Sequence, residues 1–150
     1  MTHRLMEAIC APENIAAAVR AVRRNRGAPG VDGGTVHDLP ALLATRWPEI
    51  EQALLEGRYQ PQPVRRVMIP KPGGGGERAL GIPTVLDRVI QQAVLQQLQP
   101  MWDPTFSVHS FGFRPGRSAH QAVAQAQAYV IPPYSPRRVK IGANSQTSLC

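Results

Sequence analysis

A chain of 150 residues has the length of one ordinary domain and is long enough to bury a hydrophobic core. Its 17 Lys and Arg residues outnumber its 10 Asp and Glu residues, which leaves a formal net charge of +7. This charge favours nucleic acid over a membrane surface as a partner, because no basic amphipathic helix with a large apolar face stands out. A basic surface without a special role is the alternative that charge alone leaves open.

The cysteines and the N-terminal residues restrict the cellular setting. Cys10 and Cys150 lie at opposite ends of the chain with no neighbouring His or Cys, which fits neither a disulfide framework nor a zinc site and favours a reducing compartment. The N-terminus has no apolar run suited to a signal peptide, and no segment approaches the roughly 20 apolar residues of a membrane span. The sequence therefore predicts a cytoplasmic protein without a membrane partner.

The first third of the chain predicts two helices separated by a glycine-rich loop. Pro12 suits the first turn of a helix, where its missing amide hydrogen leaves nothing unpaired. Gly27 is expected to end this helix, whose apolar stripe is Ile15, Ala18, Val19 and Val22. Residues 27–34 then form a tight loop that can approach a partner closely. A second helix is predicted from about Leu39 to Gly57, with Pro48 restarting it.

The middle of the chain predicts a β-hairpin and a long helix. Residues 62–70 are rich in β-branched side chains, and a glycine turn at 72–76 separates them from a second strand at 78–82. Pro83 is expected to open the helix and Pro100 to close it. Its apolar stripe is Leu86, Val89, Ile90, Ala93, Val94 and Leu98.

The last third predicts a connector, a short helix and a polar tail. Residues 101–116 form an aromatic and glycine-bearing connector. Ser118, with Gln121 three residues later, has the spacing of a capping box that starts a helix through about Val130. From Ile131 onward, prolines and polar residues show no apolar periodicity, so this tail is expected to be disordered.

The glycine turn of the hairpin carries a candidate phosphate grip. Lys71 and Arg78 flank the turn on opposite strands, where a point charge and a planar guanidinium could hold a triphosphate. The segment is no P-loop, because the Gly-Lys-Ser/Thr ending is missing and no helix follows directly. From these residues alone, a flexible turn with a nearby lysine is the simpler alternative.

Four segments resemble group II intron reverse transcriptases over roughly residues 5 to 130. IPKPGG, RALGIPTVLDRVIQQAVLQQLQP and FGFRPGRSAHQAV resemble the first two conserved blocks of that family, and NRGAPGVDG resembles its N-terminal block. The resemblance implies an α+β fold, namely a mainly helical fingers subdomain with a small antiparallel hairpin. It also implies that residues 1–130 are the N-terminal extension and fingers, with residues 131–150 unrelated to the family.

The resemblance assigns roles to individual positions. Lys71 and Arg78 are implied to bind the triphosphate of the incoming deoxynucleotide. Glu77 and Ala79 depart from the family pattern, and Glu77 is expected to weaken the local positive field. The implied contacts to the template or other RNA are Gly27, Ala28, Pro29, Gly30, Leu80, Gly81, Ile82, Pro83, Arg114 and Arg117.

Polymerases of this kind join nucleotides with metal ions held by aspartates. Residues 104–150 contain no Asp or Glu, so we expect no catalytic residue and no metal or cofactor in this chain, whereas Mg²⁺ is expected in the full-length family. The sequence thus predicts a truncated reverse transcriptase/maturase that is inactive alone. Its expected partners are group II intron RNA or template, a weakly bound deoxynucleotide and a complementing palm fragment.

Two other functions remain open for this chain. The chain could instead be a non-catalytic RNA-binding splicing helper, or a non-functional relic that folds poorly. Asp87 and Arg88 are expected to form a surface pair on the long helix. Phe111 and Phe113 are expected in a core rather than as platforms for stacked bases.

Overall fold

A computed structural model describes the backbone of residues 2–130 and the side chains of residues 4–130. The chain divides into two compact units, residues 1–105 and residues 106–150, and each is described by itself. The polar tail expected to be disordered lies outside the described residues. The domain boundary near residue 130 therefore stays a prediction.

Helices and one small sheet make up the described chain. The elements of the first unit are α1 (Thr2–Cys10), α2 (Pro12–Asn25), α3 (Leu39–Leu55), β1 (Arg65–Pro70), β2 (Glu77–Ile82), α4 (Val85–Trp102) and a 3₁₀ turn at Asp103–Thr105. The second unit contributes α5 (Ala119–Val130). The two strands pair antiparallel, so the predicted α+β class is confirmed. No described helix has the length and apolar character needed to cross a membrane.

The core of the first unit is built on α4. Val85, Val89 and Ala93 recur every four residues on one side of this helix and are fully buried. They pack in one cluster with Ile9, Ile15, Ala18, Val22, Val36 and Leu39. Leu86 and Ile90, on the adjacent side, belong to a second cluster with Cys10, Ile50 and Leu54. The predicted apolar stripe of α4 thus faces two groups of partners.

A buried asparagine joins three helices. The Asn14 amide on α2 donates to the carbonyl of Ile9 at 2.8 Å and to the carbonyl of Ala93 at 3.1 Å. Its side-chain oxygen accepts from Nε2 of Gln96 at 2.8 Å. Because a buried amide without partners would cost about 1–3 kcal/mol, these bonds fix the register of α1, α2 and α4.

Two helix boundaries set by proline are wrong. Pro48 lies inside a continuous α3 and does not restart it, and Pro100 lies inside α4, which runs on to Trp102. A proline inside a helix removes one hydrogen bond and costs about 3 kcal/mol. In α3 this cost is offset because Ile50 and Leu54, beyond the proline, are buried in the second cluster.

The N-terminus of α4 is capped by a threonine. The helix begins at Val85 rather than Pro83, because the Thr84 hydroxyl accepts from the Asp87 amide at 3.1 Å and donates to the Asp87 carboxylate at 2.7 Å. The carboxylate also accepts from the Tyr59 hydroxyl at 2.6 Å and from the Gln62 amide at 3.2 Å. Asp87 is 2 % exposed, so the expected surface pair with Arg88 is wrong.

One helix was missed by the sequence analysis, and one strand is shorter than expected. α1 was not predicted, and β1 begins at Arg65 rather than at residue 62, since two prolines at 61 and 63 lack amide hydrogens for pairing. The capping box of α5 is confirmed. The Gln121 side chain accepts from the Ser118 amide at 2.9 Å, and the Ser118 hydroxyl accepts from the Gln121 amide at 3.4 Å.

Tyr59 makes stability dependent on high pH. Burial, and then its bond to Asp87, raise the pKa of the Tyr59 hydroxyl well above its ordinary value of 10. The folded protein therefore holds this proton more tightly than the unfolded chain, and the free energy of unfolding should fall as pH rises above 10. Tyr59→Phe should lose about 1–2 kcal/mol at pH 7 and show a weaker decline above pH 10.

Urea unfolding followed by circular dichroism at a series of pH values would measure both effects. Tyr129→Phe is the matched control, because Tyr129 is exposed and belongs to the second unit. Equal alkaline declines in wild type and Tyr59→Phe would contradict the assignment.

Candidate nucleotide and nucleic-acid interface

The hairpin ends in a tight turn that brings Lys71 close to the second strand. The Lys71 amide donates to the Gly76 carbonyl at 2.9 Å, which extends the ladder one pair beyond the strands. The Gly74 amide donates back to the Lys71 carbonyl at 3.3 Å. Gly73, Gly74 and Gly76 all have positive φ, a conformation that glycine adopts without steric cost. The glycine run is therefore required by the turn.

The register of the hairpin puts Lys71 and Arg78 on one face. Arg78 pairs with Ile69, and Lys71 lies two residues beyond Ile69, so alternation gives all three the same side of the ladder. Lys71 and Arg78 are thus diagonal neighbours, which lie roughly 7–8 Å apart in an antiparallel pair. Both side chains are exposed. The arrangement offers two cations to one anionic ligand.

The opposite face of the hairpin carries the residue that departs from the family pattern. Glu77 pairs with Pro70 and Gly81 pairs with Arg66, so both lie on the side of the sheet away from Arg78. Leu80 and Ile82, in contrast, share the face of the two cations. Glu77 was expected to weaken the positive field around Lys71 and Arg78. This effect is reduced because the pleat directs the Glu77 carboxylate to the face opposite these cations.

The glycine loop after α2 docks onto the start of α4. α2 ends when Arg26 adopts a left-handed conformation with φ of 44°. Gly30 is buried, and a Cβ atom there would lie 2.6 Å from the Cα of Thr84 and 2.9 Å from the carbonyl oxygen of Pro83. Only glycine permits this approach. Two separate segments with implied template contacts, the loop and the end of β2, thus meet in space.

A second contact holds the same loop from the side. Nη2 of Arg88 donates to the Ala28 carbonyl at 2.9 Å, and the guanidinium packs against Gly27. Pro29, between these two contacts, is half-buried. Arg88 therefore binds the loop and does not form the expected surface pair. The sequence gives no sign of this contact, because the partner lies 60 positions away.

Asp87 anchors the chain that leads into the hairpin. Its carboxylate accepts hydrogen bonds from Tyr59 and Gln62, which lie in the segment between α3 and β1. The Thr84 hydroxyl binds the same carboxylate at the start of α4. Sequence reasoning missed this role. The available signal was the spacing of Thr84 and Asp87, which matches the Ser/Thr-x-x-Asp/Glu cap pattern.

In the second unit, the two arginines with implied RNA contacts bind their own loop. Nη1 of Arg114 donates to the carbonyls of Ser107 at 2.9 Å and Ser110 at 3.2 Å. Nη1 of Arg117 donates to the Val108 carbonyl at 3.3 Å. The guanidinium groups also lie 5.5 Å and 5.4 Å from the ring centres of Phe106 and Phe111. Both arginines thus organise the connector.

The expected core position of Phe113 is wrong. Its side chain is fully exposed and its φ is 55°, a left-handed conformation uncommon for a bulky residue. Phe111 is half-buried. The arginine bonds to neighbouring carbonyls define the loop on which Phe113 is displayed. Within residues 4–130, no group of three His, Cys, Asp or Glu residues could hold a metal ion.

Comparison with known proteins identifies several relatives of this chain. The chain is 45% identical over 122 residues to protein YkfC of Escherichia coli, a match covering 80% of this chain and 32% of YkfC. It is 48% identical over 75 residues to the group II intron-encoded protein LtrA of Lactococcus lactis, covering 50% of this chain and 12% of LtrA. No family model matches the chain.

A third relative is the mitochondrial nuclear intron maturase 2 of Arabidopsis thaliana, 50% identical over 34 residues, or 23% of this chain and 5% of the maturase. The chain therefore spans about a third of YkfC and far less of the other two proteins. The chain is a relative of the group II intron reverse transcriptases and maturases.

Proposed function

We propose that residues 1–130 form the N-terminal extension and fingers part of a reverse transcriptase/maturase, which contacts the template RNA and the incoming nucleotide. The observation that carries this proposal is the hairpin register, which puts Lys71 and Arg78 on one exposed face. In a full-length protein, the activity served would be RNA-templated DNA synthesis together with assistance to intron splicing.

The nucleotide would be held by the hairpin cations. Lys71 supplies a compact ammonium and Arg78 a planar guanidinium, and the two together suit a triphosphate with several anionic oxygens. Because the hairpin is exposed and its turn is rich in glycine, the tip can adjust to the ligand. Binding by these two cations alone should be weak.

The template RNA would lie along the docked loop. The loop is fixed to α4 by the close approach of Gly30 to Thr84 and by the bond of Arg88 to Ala28. Pro83, which connects β2 to α4, lies beside the same contact. Template RNA on this loop would therefore lie beside the start of α4. With the net charge of +7, this surface suits RNA, and intron RNA is the substrate that the relatives' names suggest.

The metal-binding aspartates of polymerisation would come from outside these 150 residues. The sequence has no Asp or Glu after Asp103, so a complementing palm would have to supply the Mg²⁺ ligands. The polypeptide should accordingly show no primer extension with an RNA template, deoxynucleotides and Mg²⁺. Measurable extension would contradict this part of the proposal.

Replacing the hairpin cations should weaken triphosphate binding. Lys71→Ala and Arg78→Ala should each reduce the affinity for inorganic triphosphate about tenfold, because each removes a charge-assisted hydrogen bond worth about 1.5 kcal/mol or more. Isothermal titration calorimetry at low salt would measure the change.

Arg66→Ala is the matched control for these variants. Arg66 belongs to the same hairpin and is exposed, but it lies on the opposite face. Its removal lowers the net charge equally and should change the affinity less than twofold. Equal losses of triphosphate affinity in all three variants would indicate a general effect of charge and would contradict a specific site formed by Lys71 and Arg78.

Adding a methyl group at Gly30 should displace the loop and weaken RNA binding. Gly30→Ala puts a Cβ atom against the backbone of Thr84, which cannot move without disturbing the α4 cap, so a loss of about 1–3 kcal/mol in stability is expected. The affinity for a single-stranded RNA, measured by fluorescence anisotropy, should fall several-fold. Gly75→Ala, where a Cβ atom meets open space, should leave both quantities unchanged, and an equal effect would refute the loop's role.

A further inference from the structure

A cleft between α2 and α4 lies apart from the hairpin and borders the contact between Arg88 and the glycine loop. Its volume is about 260 Å³, below the roughly 300–1,000 Å³ of pockets that enclose a whole small molecule. The cleft therefore suits one part of a larger ligand. It is lined by Val22, Asn25, Arg88, Gln91, Gln92 and Leu95.

One stripe of α4 forms a wall of this cleft. Arg88, Gln91, Gln92 and Leu95 follow the spacing i, i+3, i+4 and i+7, which puts them on one side of the helix. On this stripe two amide side chains lie beside Leu95, which is 47% exposed. Amides can donate and accept hydrogen bonds, and an exposed leucine offers a flat apolar contact.

Arg88 leaves one hydrogen-bond donor unused at the edge of the cleft. Its Nη2 is committed to Ala28, which fixes the guanidinium. Its Nε is buried and, among the described residues, has no hydrogen-bond partner. A buried donor without an acceptor costs about 1–3 kcal/mol, and the bond of Nη2 to Ala28 offsets part of this cost.

Exposed arginines are concentrated near the C-terminal end of α2, the helix that contributes Val22 and Asn25 to the cleft. Asn25 is the last residue of α2, whose final turns also carry Arg20, Arg23 and Arg24, all exposed, and Arg26 follows. These cations would attract a phosphate backbone. Amide side chains recognise the edges of nucleobases, and bases are accessible to such groups in single-stranded RNA, where an unpaired base can be splayed out of the stack.

We propose that this cleft binds one unstacked base of a single-stranded RNA, read by Asn25 and Gln91, with the phosphates of the same strand along the arginines of α2. The inference rests on the proposed RNA binding and adds a second point of contact to it. The base contributes hydrogen bonds, whereas the arginines contribute attraction that does not depend on sequence.

Binding of a labelled 12-nucleotide oligoadenylate tests the site. The double variant Asn25→Ala/Gln91→Ala should reduce affinity about tenfold, in the range expected for loss of a good base contact, without changing the salt dependence, because no phosphate contact is removed. Gln97→Ala is the matched control, since this glutamine lies on α4 outside the cleft, and it should change affinity less than twofold.

An abasic version of the same oligonucleotide separates base from backbone contacts. The wild type should bind it more weakly than oligoadenylate, and the double variant should bind the two equally. Should the double variant not fold, the wild type alone decides: an oligonucleotide carrying 4-thiouridine should crosslink within residues 91–95. Salt-dependent RNA binding with no crosslink there, or with no loss in a folded double variant, would overturn the cleft and leave the proposed function standing. Absence of any RNA binding would overturn both.

Discussion

The buried carboxylate of Asp87 is the interaction on which the arrangement of the first unit depends. It accepts hydrogen bonds from Thr84, Tyr59 and Gln62, which belong to the cap of α4 and to the chain before β1. A charge that is 2 % exposed is tolerated only with such partners, because an unpaired buried charge is strongly unfavourable. The start of α4 and the entry to the hairpin are therefore fixed to each other by one side chain.

The glycine loop is fixed to the same region by different means. Gly30 permits backbone-to-backbone contact with Thr84, and Arg88 holds the Ala28 carbonyl. The packing of Gly30 sets the distance between the loop and α4, and the bond from the Arg88 guanidinium sets the orientation of the loop. The loop, the end of β2 and the start of α4 thus form one surface, which neither the hairpin nor the loop could form alone.

Positive charge is used in two different ways along the chain. Arg88, Arg114 and Arg117 donate to backbone carbonyls of loops, so part of their hydrogen-bonding capacity serves folding. The hairpin cations and the arginines near the end of α2 have exposed side chains. A net charge of +7 therefore favours a polyanionic partner in general but does not tell which cations meet it.

The sequence by itself determined the α+β class, the hairpin, the stripe of α4, the Ser118 cap of α5 and the family, because each depends on local periodicity, turn chemistry or ordered motifs. The continuation of α3 past Pro48 was decided by tertiary packing, since the burial of Ile50 and Leu54 outweighs a local helix break. The burial of Asp87 and the exposure of Phe113 were likewise decided by tertiary structure. Tyr59 and Gln62 lie 28 and 25 positions from Asp87, and local periodicity contains no information about contacts at that separation. Phe113 is displayed by a loop whose irregular backbone follows from arginine bonds to carbonyls and not from a periodic pattern.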